Sequence, residues 1–336
     1  MLKNFRRFVS QEVFEFCKIS IIGANGGVGR SLAQQLKQNN RFSEICLYDI
    51  SCTKGLVTDL SHINTIPKVT GYSGAENLHE ALRCCDILVL TGGQSHTPSI
   101  TSREQMFEGN AKLMVHLIET LAKVSGKEGS QPHFHIVTNP VNSLVPLAAE
   151  LLKKHGIYNP RRLSGCTKVD AMRAATFLAE YMAVDPRYVH VPVIGGHSEK
   201  SIVPLLSQSQ PKFALDLETQ IKLANRIING GQEVVLAKNH QGAAQHSMGY
   251  CVAQFCDSVV SALQGVKNIQ EVGFIPSEIN ELPYFACQFQ LNREGIGGHQ
   301  RLPPMLTFEI ELYNRAKDDI RENIERAKEF MEKNKL

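Results

Sequence analysis

The stretch Gly23-Ala24-Asn25-Gly26-Gly27-Val28-Gly29 constrains this chain more than any other. It follows a short apolar run, KISII at 18–22, and leads into residues 28–38, whose spacing predicts a helix. A strand that turns on glycines straight into a helix is how a dinucleotide-binding βαβ unit begins. Glycine permits the tight turn and lets the backbone approach a pyrophosphate, and the helix start offers free N–H groups to the anion. The spacing here is GxxGxxG rather than the commoner GxGxxG. Alone, it is also what an ordinary strand-to-helix turn looks like. Asp49 adds a second signal. It follows the predicted strand 45–48 and lies 20 residues after Gly29, where a carboxylate can accept from ribose hydroxyls and repel the 2′-phosphate of NADP. Gly23, Gly26, Gly27, Gly29 and Asp49 together point to NAD as the cofactor.

The alternation continues. Strands are predicted near 68–72, 86–91 and 133–138, with helices between them, the longest at 103–124. Strands alternating with helices imply an α/β fold, a doubly wound Rossmann-type parallel sheet. Beyond about residue 140 the pattern changes. Helices are predicted over 143–155, 167–182, 215–238 and 305–333, with short strands near 188–193 and a hairpin-like stretch at 284–298. This second part reads as an α+β substrate or catalytic domain. The division expected is 1–17 as an extension or targeting segment, 18–164 as the NAD-binding Rossmann domain, and 165–336 as the catalytic domain.

Composition narrows the setting. With 43% apolar and 21% charged residues the chain is of globular type. A net charge of +3, with Lys and Arg spread along the chain, gives no reason to expect a nucleic-acid partner. No apolar run approaches the roughly 20 residues of a membrane helix. Nine scattered cysteines without a CxxC pair read as reduced thiols inside a cell, not as a disulfide frame or a metal site. Lys3, Arg6 and Arg7 among the first ten residues fit a mitochondrial presequence, although Glu12 and Glu15 speak for a plain extension. Asn334-Lys335-Leu336 loosely matches the peroxisomal Ser-Lys-Leu address. The compartment expected is intracellular, with the mitochondrial matrix ahead of cytosol or a peroxisome-like organelle.

Four polar features fall at predicted strand or helix ends, where doubly wound sheets place ligands. These are Thr138-Asn139-Pro140-Val141-Asn142, the pair Asp170 and Arg173, Gly195-Gly196-His197, and Arg103. Reduction of a 2-keto acid needs a proton donor, a clamp for the carboxylate and a positive group for the charge developing on oxygen. Histidine suits the first task because its pKa lies near neutrality. A buried carboxylate beside it fixes the tautomer. Arginine suits the second because its fork matches a carboxylate. A second arginine on a closing loop suits the third. Each residue singly has an ordinary structural explanation; their joint occurrence with the glycine turn carries the reading.

The chain resembles malate dehydrogenases of the mitochondrial and bacterial type, within the lactate/malate dehydrogenase superfamily. The likeness runs from Lys18 to the C-terminal helix. Its motifs are GANGGVG, LYDI, DLSHI, TNPVNS, KKHGIYNP, VDAMRAATF and VPVIGGHSEKSIVPL. The resemblance implies interconversion of malate and oxaloacetate in the tricarboxylic acid cycle, with His197 as proton carrier and Asp170 as its partner. It implies that Arg173 clamps the 2-oxo carboxylate and Arg103 polarises the carbonyl. It implies that Asn139 touches substrate and cofactor, that Asn110, Val137 and Met248 line the nicotinamide side, and that the protein is a homodimer.

One loop departs from the pattern. Malate dehydrogenases carry an arginine two residues before the loop proline, for the distal carboxylate of oxaloacetate. Here His96 stands two residues before Pro98, and the segment to Arg103 is one residue longer. Removing one partner of a buried charge pair costs about 2–5 kcal/mol, roughly 30- to 4,000-fold in transition-state binding. A protonated His96 replaces that arginine in part; a neutral one does not. Three activities therefore stay open: malate dehydrogenase with His96 as a weakened contact, a dehydrogenase for another 2-hydroxy acid with an aromatic or bulky side chain, and a catalytically weak NAD-binding paralogue.

Overall fold

A computed structural model of the chain describes residues 17–94, 103–125, 131–299 and 301–336. Six strands form a parallel sheet: β1 (Lys18–Ile22), β2 (Glu44–Asp49), β3 (Lys68–Ser73), β4 (Ile87–Leu90), β5 (His133–Ile136) and β6 (Leu163–Gly165). Their spatial order is β3-β2-β1-β4-β5-β6. The order reverses beside β1, so the carboxyl ends of β1 and β4 open a crevice, the usual ligand position in such sheets. The strands read as continuous apolar runs because both faces are covered: Ile19, Ile21, Ile45, Leu47, Leu88 and Val89 are fully buried.

The covering helices follow from their patterns. In α1 (Gly27–Lys37), Leu32, Ala33 and Leu36 share the buried face, the 3.6-residue period of an amphipathic helix. Next come α2 (Lys54–Ser61), α3 (Leu78–Leu82), α4 (Arg103–Val124) and α5 (Val141–Lys154). The sheet then continues in antiparallel fashion. β6 pairs with β9 (Ile269–Pro276), β9 with β10 (Tyr284–Asn292), and β10 with both β7 (Val193–Gly195) and β11 (Gly295–His299). β8 (Ile202–Pro204) closes the edge on β7. On this second part lie α6 (Lys168–Met182), α7 (Leu217–Ile228), α8 (Gly230–Ala237), α9 (His246–Leu263) and α10 (Thr307–Lys333).

Several expected elements shift. The single helix expected over 215–238 is two, broken at Asn229. The strand expected near 188–193 lies at 193–195, because Pro186–Tyr188 form a helical turn and Pro192 has no N–H to pair. The helix α9 and the strands β6, β8 and β9 were not expected.

Of the predicted termini, residues 1–16 lie outside the described residues. At the other end, Leu336 is half-buried against the core and donates its N–H to the Met331 carbonyl. No described helix is long and apolar enough to cross a membrane.

Candidate active site

The crevice is a cavity of about 640 Å³, within the size range of small-molecule sites. One end is main chain. Gly23 holds φ +91° and donates its N–H to the Tyr48 carbonyl at 2.9 Å, which turns the chain off β1 toward α1. Gly26 and Gly27 line the cavity at the start of α1, where the first N–H groups of a helix lack intrahelical partners. Gly29 does not line it. A Cβ there would lie 2.3 Å from the Gly23 oxygen and 2.7 Å from Ala24 Cα, so this glycine serves the packing of helix against turn. Asp49 faces the cavity. Its carboxylate accepts from the Asn25 N–H at 3.0 Å and from the Ser51 N–H and hydroxyl at 3.0 and 2.9 Å. Beside it, burial together with Glu76 and Asp49 raises the pKa of the Tyr48 phenol, which donates to the Gly74 carbonyl at 3.1 Å.

The other end is built from side chains. His197 follows β7, and its Nδ1 lies 2.6 Å from Asp170 Oδ2; both residues are buried. The carboxylate can only accept, so Nδ1 carries the proton and Nε2 is left for a ligand. Asp170 sits in the first turn of α6, where the helix N-terminus favours negative charge. Three residues on, Arg173 Nη1 lies 3.2 Å from the other carboxylate oxygen. The break between α7 and α8 makes room for it: a Cβ on Gly230 would lie 2.8 Å from Arg173 Cδ.

A chain of hydrogen bonds fixes the His197 backbone. The Asp319 carboxylate on α10 accepts from Ser198 Oγ at 2.6 Å, and Ser198 Oγ lies 2.7 Å from Ser201 Oγ. Asn142 Nδ2 donates to Ser201 Oγ at 2.9 Å, and Asn142 Oδ1 accepts from the His197 N–H at 2.8 Å. Because Asp319 only accepts, every donor along this path has one assignable direction. Gly195 holds φ +97°, and a Cβ there would meet the Ser201 oxygen at 2.1 Å, so the loop requires glycine at that place.

Between the two ends stand Asn110, Val137, Asn139 and Met248, all on the cavity wall. Asn110 accepts from the Gln94 N–H at 2.6 Å and donates to the Asn139 carbonyl at 2.7 Å. Asn139 Oδ1 is buried without a hydrogen-bond partner among the described residues, as a side chain waiting on a ligand would be. Thus Gly23, Gly26, Gly27, Asp49, Asn110, Val137, Asn139, Arg173, His197 and Met248 converge on one cavity, with Asp170 directly behind His197. His96 lies outside the described residues. Arg103 opens α4, and its side chain is likewise outside them.

Sequence reasoning passed over Glu199 and Gln245, which both line the cavity. Glu199 is the nearest carboxylate in sequence to His197, and Gln245 lies three residues before Met248, one helical turn away. Those short spacings were the available signals.

The residues fit a dinucleotide at one end and a small anionic substrate at the other, with a buried histidine able to exchange a proton with that substrate. Comparisons with known proteins identify the family and its cofactor. Residues 17–165 match the model of the lactate/malate dehydrogenase NAD binding domain, and residues 167–331 match that of the lactate/malate dehydrogenase alpha/beta C-terminal domain. The mitochondrial malate dehydrogenase of Felis catus is 37% identical over 326 residues, 97% of this chain and 95% of that protein. The glyoxysomal malate dehydrogenase of Oryza sativa subsp. japonica is 40% identical over 316 residues, 94% of this chain and 87% of that protein. Among solved structures, the apo malate dehydrogenase of Picrophilus torridus superposes with a TM-score of 0.81 at 25% identity, covering 95% of this chain and 99% of the other. The lactate dehydrogenase of Eimeria maxima with NADH and oxamate has the same fold, with a TM-score of 0.81 at 19% identity and 98% of each chain covered.

Proposed function

The chain belongs to the lactate/malate dehydrogenase family as an NAD-dependent 2-hydroxy-acid dehydrogenase, and from that premise we propose that its substrate pair is malate and oxaloacetate, with His197 carrying the proton. The observation that carries the reading is the buried pair of His197 Nδ1 and Asp170 Oδ2 at 2.6 Å, opening on the same cavity as the glycine turn.

NAD, when bound, supplies the hydride acceptor for C2 of the substrate. In oxidation His197 Nε2 takes the proton of the 2-hydroxyl; in reduction it returns that proton to the carbonyl oxygen. Asp170 holds the ring and stabilises the imidazolium. Arg173 clamps the carboxylate next to C2, and Arg103 polarises the carbonyl. Asn139 bridges substrate and cofactor, while Asn110, Val137 and Met248 bound the nicotinamide side. Asp49 accepts from the adenosine ribose, and Gly23, Gly26 and Gly27 admit the pyrophosphate. In this reading residues 18–164 hold the cofactor, residues 165–336 hold the substrate, the protein works as a homodimer, and its compartment is the mitochondrial matrix.

A second reading rests on His96, which stands where the family carries the arginine for a second substrate carboxylate. Without that arginine the site favours a 2-hydroxy acid with an uncharged side chain. The readings separate in one assay: NADH oxidation with oxaloacetate, pyruvate and phenylpyruvate, for the wild type and His96→Arg. Under the malate reading oxaloacetate leads, and the substitution raises its kcat/KM. A lead by pyruvate or phenylpyruvate displaces malate as the substrate. His197→Asn lowers kcat by about 10²–10⁴-fold and spares NADH binding; a fully active variant refutes the assignment.

A further inference from the structure

We infer that Gln245 is a cofactor-binding residue, reaching across the crevice to hydrogen-bond the pyrophosphate of the dinucleotide from the wall opposite the glycine turn. This rests on NAD occupying the cleft and not on which acid is turned over.

The placement is specific. Gln245 is the residue immediately before α9, and its side chain lies over Gly27, the first residue of α1. A Cβ built on Gly27 would fall 2.2 Å from Gln245 Cδ and 2.5 Å from both Nε2 and Oε1. The glycine at position 27 therefore leaves room for this carboxamide as much as for a phosphate. The backbone that carries the carboxamide is held by the packing behind it. α9 lies directly on α1 through Gly249, where a Cβ would meet Ser31 Oγ at 2.4 Å and the Leu32 N at 2.8 Å. The Gln245 backbone thus cannot move from the turn without separating the two helices.

Its chemistry suits the position. A carboxamide offers two N–H donors and one acceptor. None of them is hydrogen-bonded among the described residues, although the side chain is half-buried on the cavity wall. The first turn of α1 presents main-chain N–H groups to an anion from one side. Gln245 adds a donor from the other side, supplied by the half of the chain that also supplies His197. Met248, one turn further along α9, faces the same cavity. The start of α9 therefore spans from the pyrophosphate position to the nicotinamide wall, so one rigid helix contacts the cofactor at two points.

Binding, not turnover, tests this. NADH, ADP and adenosine are titrated against the full-length wild type, Gln245→Ala and Gln245→Glu, with thermal melting of each protein recorded. Glutamate keeps the shape and places a negative charge at a helix N-terminus, which favours the fold, yet it repels pyrophosphate. A residue with only a structural role would let Gln245→Glu bind NADH normally. The expected result is that Gln245→Glu melts no lower than wild type but binds NADH and ADP at least about tenfold more weakly, and Gln245→Ala several-fold more weakly. Adenosine, which lacks the phosphates, is bound alike by all three. Unchanged NADH affinity in both variants overturns the inference. So does tighter binding by Gln245→Ala, since the carboxamide is then a plug that the cofactor must displace. Failure of the wild type to bind NADH would instead overturn the use of the cleft for NAD.

Discussion

At the cofactor end of the crevice the wall is drawn mainly from residues 22–51, with the main chain of the glycine turn at its centre and Gln245 facing it. At the chemical end it is side chain, drawn from distant parts of the sequence. Asp170 and His197 are 27 residues apart, Asn142 and His197 are 55 apart, and Ser198 and Asp319 are 121 apart. The two ends should therefore respond differently to change. Where backbone makes the site, what matters is shape and the absence of side chains. Where side chains make it, single atoms matter, and each atom depends on packing elsewhere. Substitutions at the chemical end should lower kcat and leave the dinucleotide bound; substitutions at the cofactor end should do the reverse.

The sharpest break available is Asp170→Asn. The amide can donate to Nδ1 as well as accept from it, so the His197 tautomer is no longer fixed. Loss of the equivalent carboxylate from a serine-protease triad costs about 10⁴-fold in kcat, and a loss of that order is expected here. Stopped-flow kinetics gives kcat, and NADH fluorescence gives the affinity. NADH affinity should stay within about twofold, because Asp170 touches the ring and Arg173 rather than the glycine turn. A parallel fall in NADH affinity would end the contrast between the two ends.

Asn142→Ala probes the same end one step further back. It removes the acceptor of a buried N–H, a cost of about 1–3 kcal/mol. If the loop bears that cost by losing the His197 geometry, kcat falls roughly 10- to 100-fold with KM little changed. Asn142→Asp restores the acceptor but not the donor to Ser201, so it should recover part of the rate. A change in KM alone would mean that Asn142 meets substrate rather than positioning the histidine.

The same contrast explains what the sequence made legible. The glycine turn and Asp49 could be read because a βαβ unit is local: strand, turn, helix and next strand fall within about 30 residues. The parallel sheet followed from the alternation of strands and helices. His197, Asp170 and Arg173 stood out as residue types, but their meeting depends on α6 lying beside the β7 loop, which no local pattern contains. α9 escaped although its buried Cys251, Val252, Phe255, Cys256, Val259 and Val260 recur at helical spacing, so the period was there to read. What it lacks is a start signal, since it begins without a side-chain cap. β6 and β8 have three residues each, too few for a period of two to register. Asn229 and Gly230 broke the predicted 215–238 helix where Arg173 needs space, a tertiary demand invisible in the helix itself.

The mildest effect, and the cleanest test of the cofactor end, is Asp49→Asn. The wild-type carboxylate already accepts from Asn25 and from Ser51 through its two oxygens. Asparagine keeps one acceptor, so the turn should hold, and thermal melting should change little. What disappears is the negative charge facing the cavity. A hydrogen bond from ribose to a charged acceptor is worth about 1.5–3 kcal/mol, against about 1 kcal/mol for a neutral one. NADH should therefore bind several-fold more weakly. NADPH should gain, because its 2′-phosphate no longer meets a carboxylate. The ratio of NADH to NADPH affinity should shrink by about tenfold, while kcat at saturating NADH stays near wild type. A variant with unchanged cofactor preference would show that charge at Asp49 does not select the dinucleotide. Selection would then come from the shape of the main-chain turn alone, which would carry the contrast between the two ends further than proposed here.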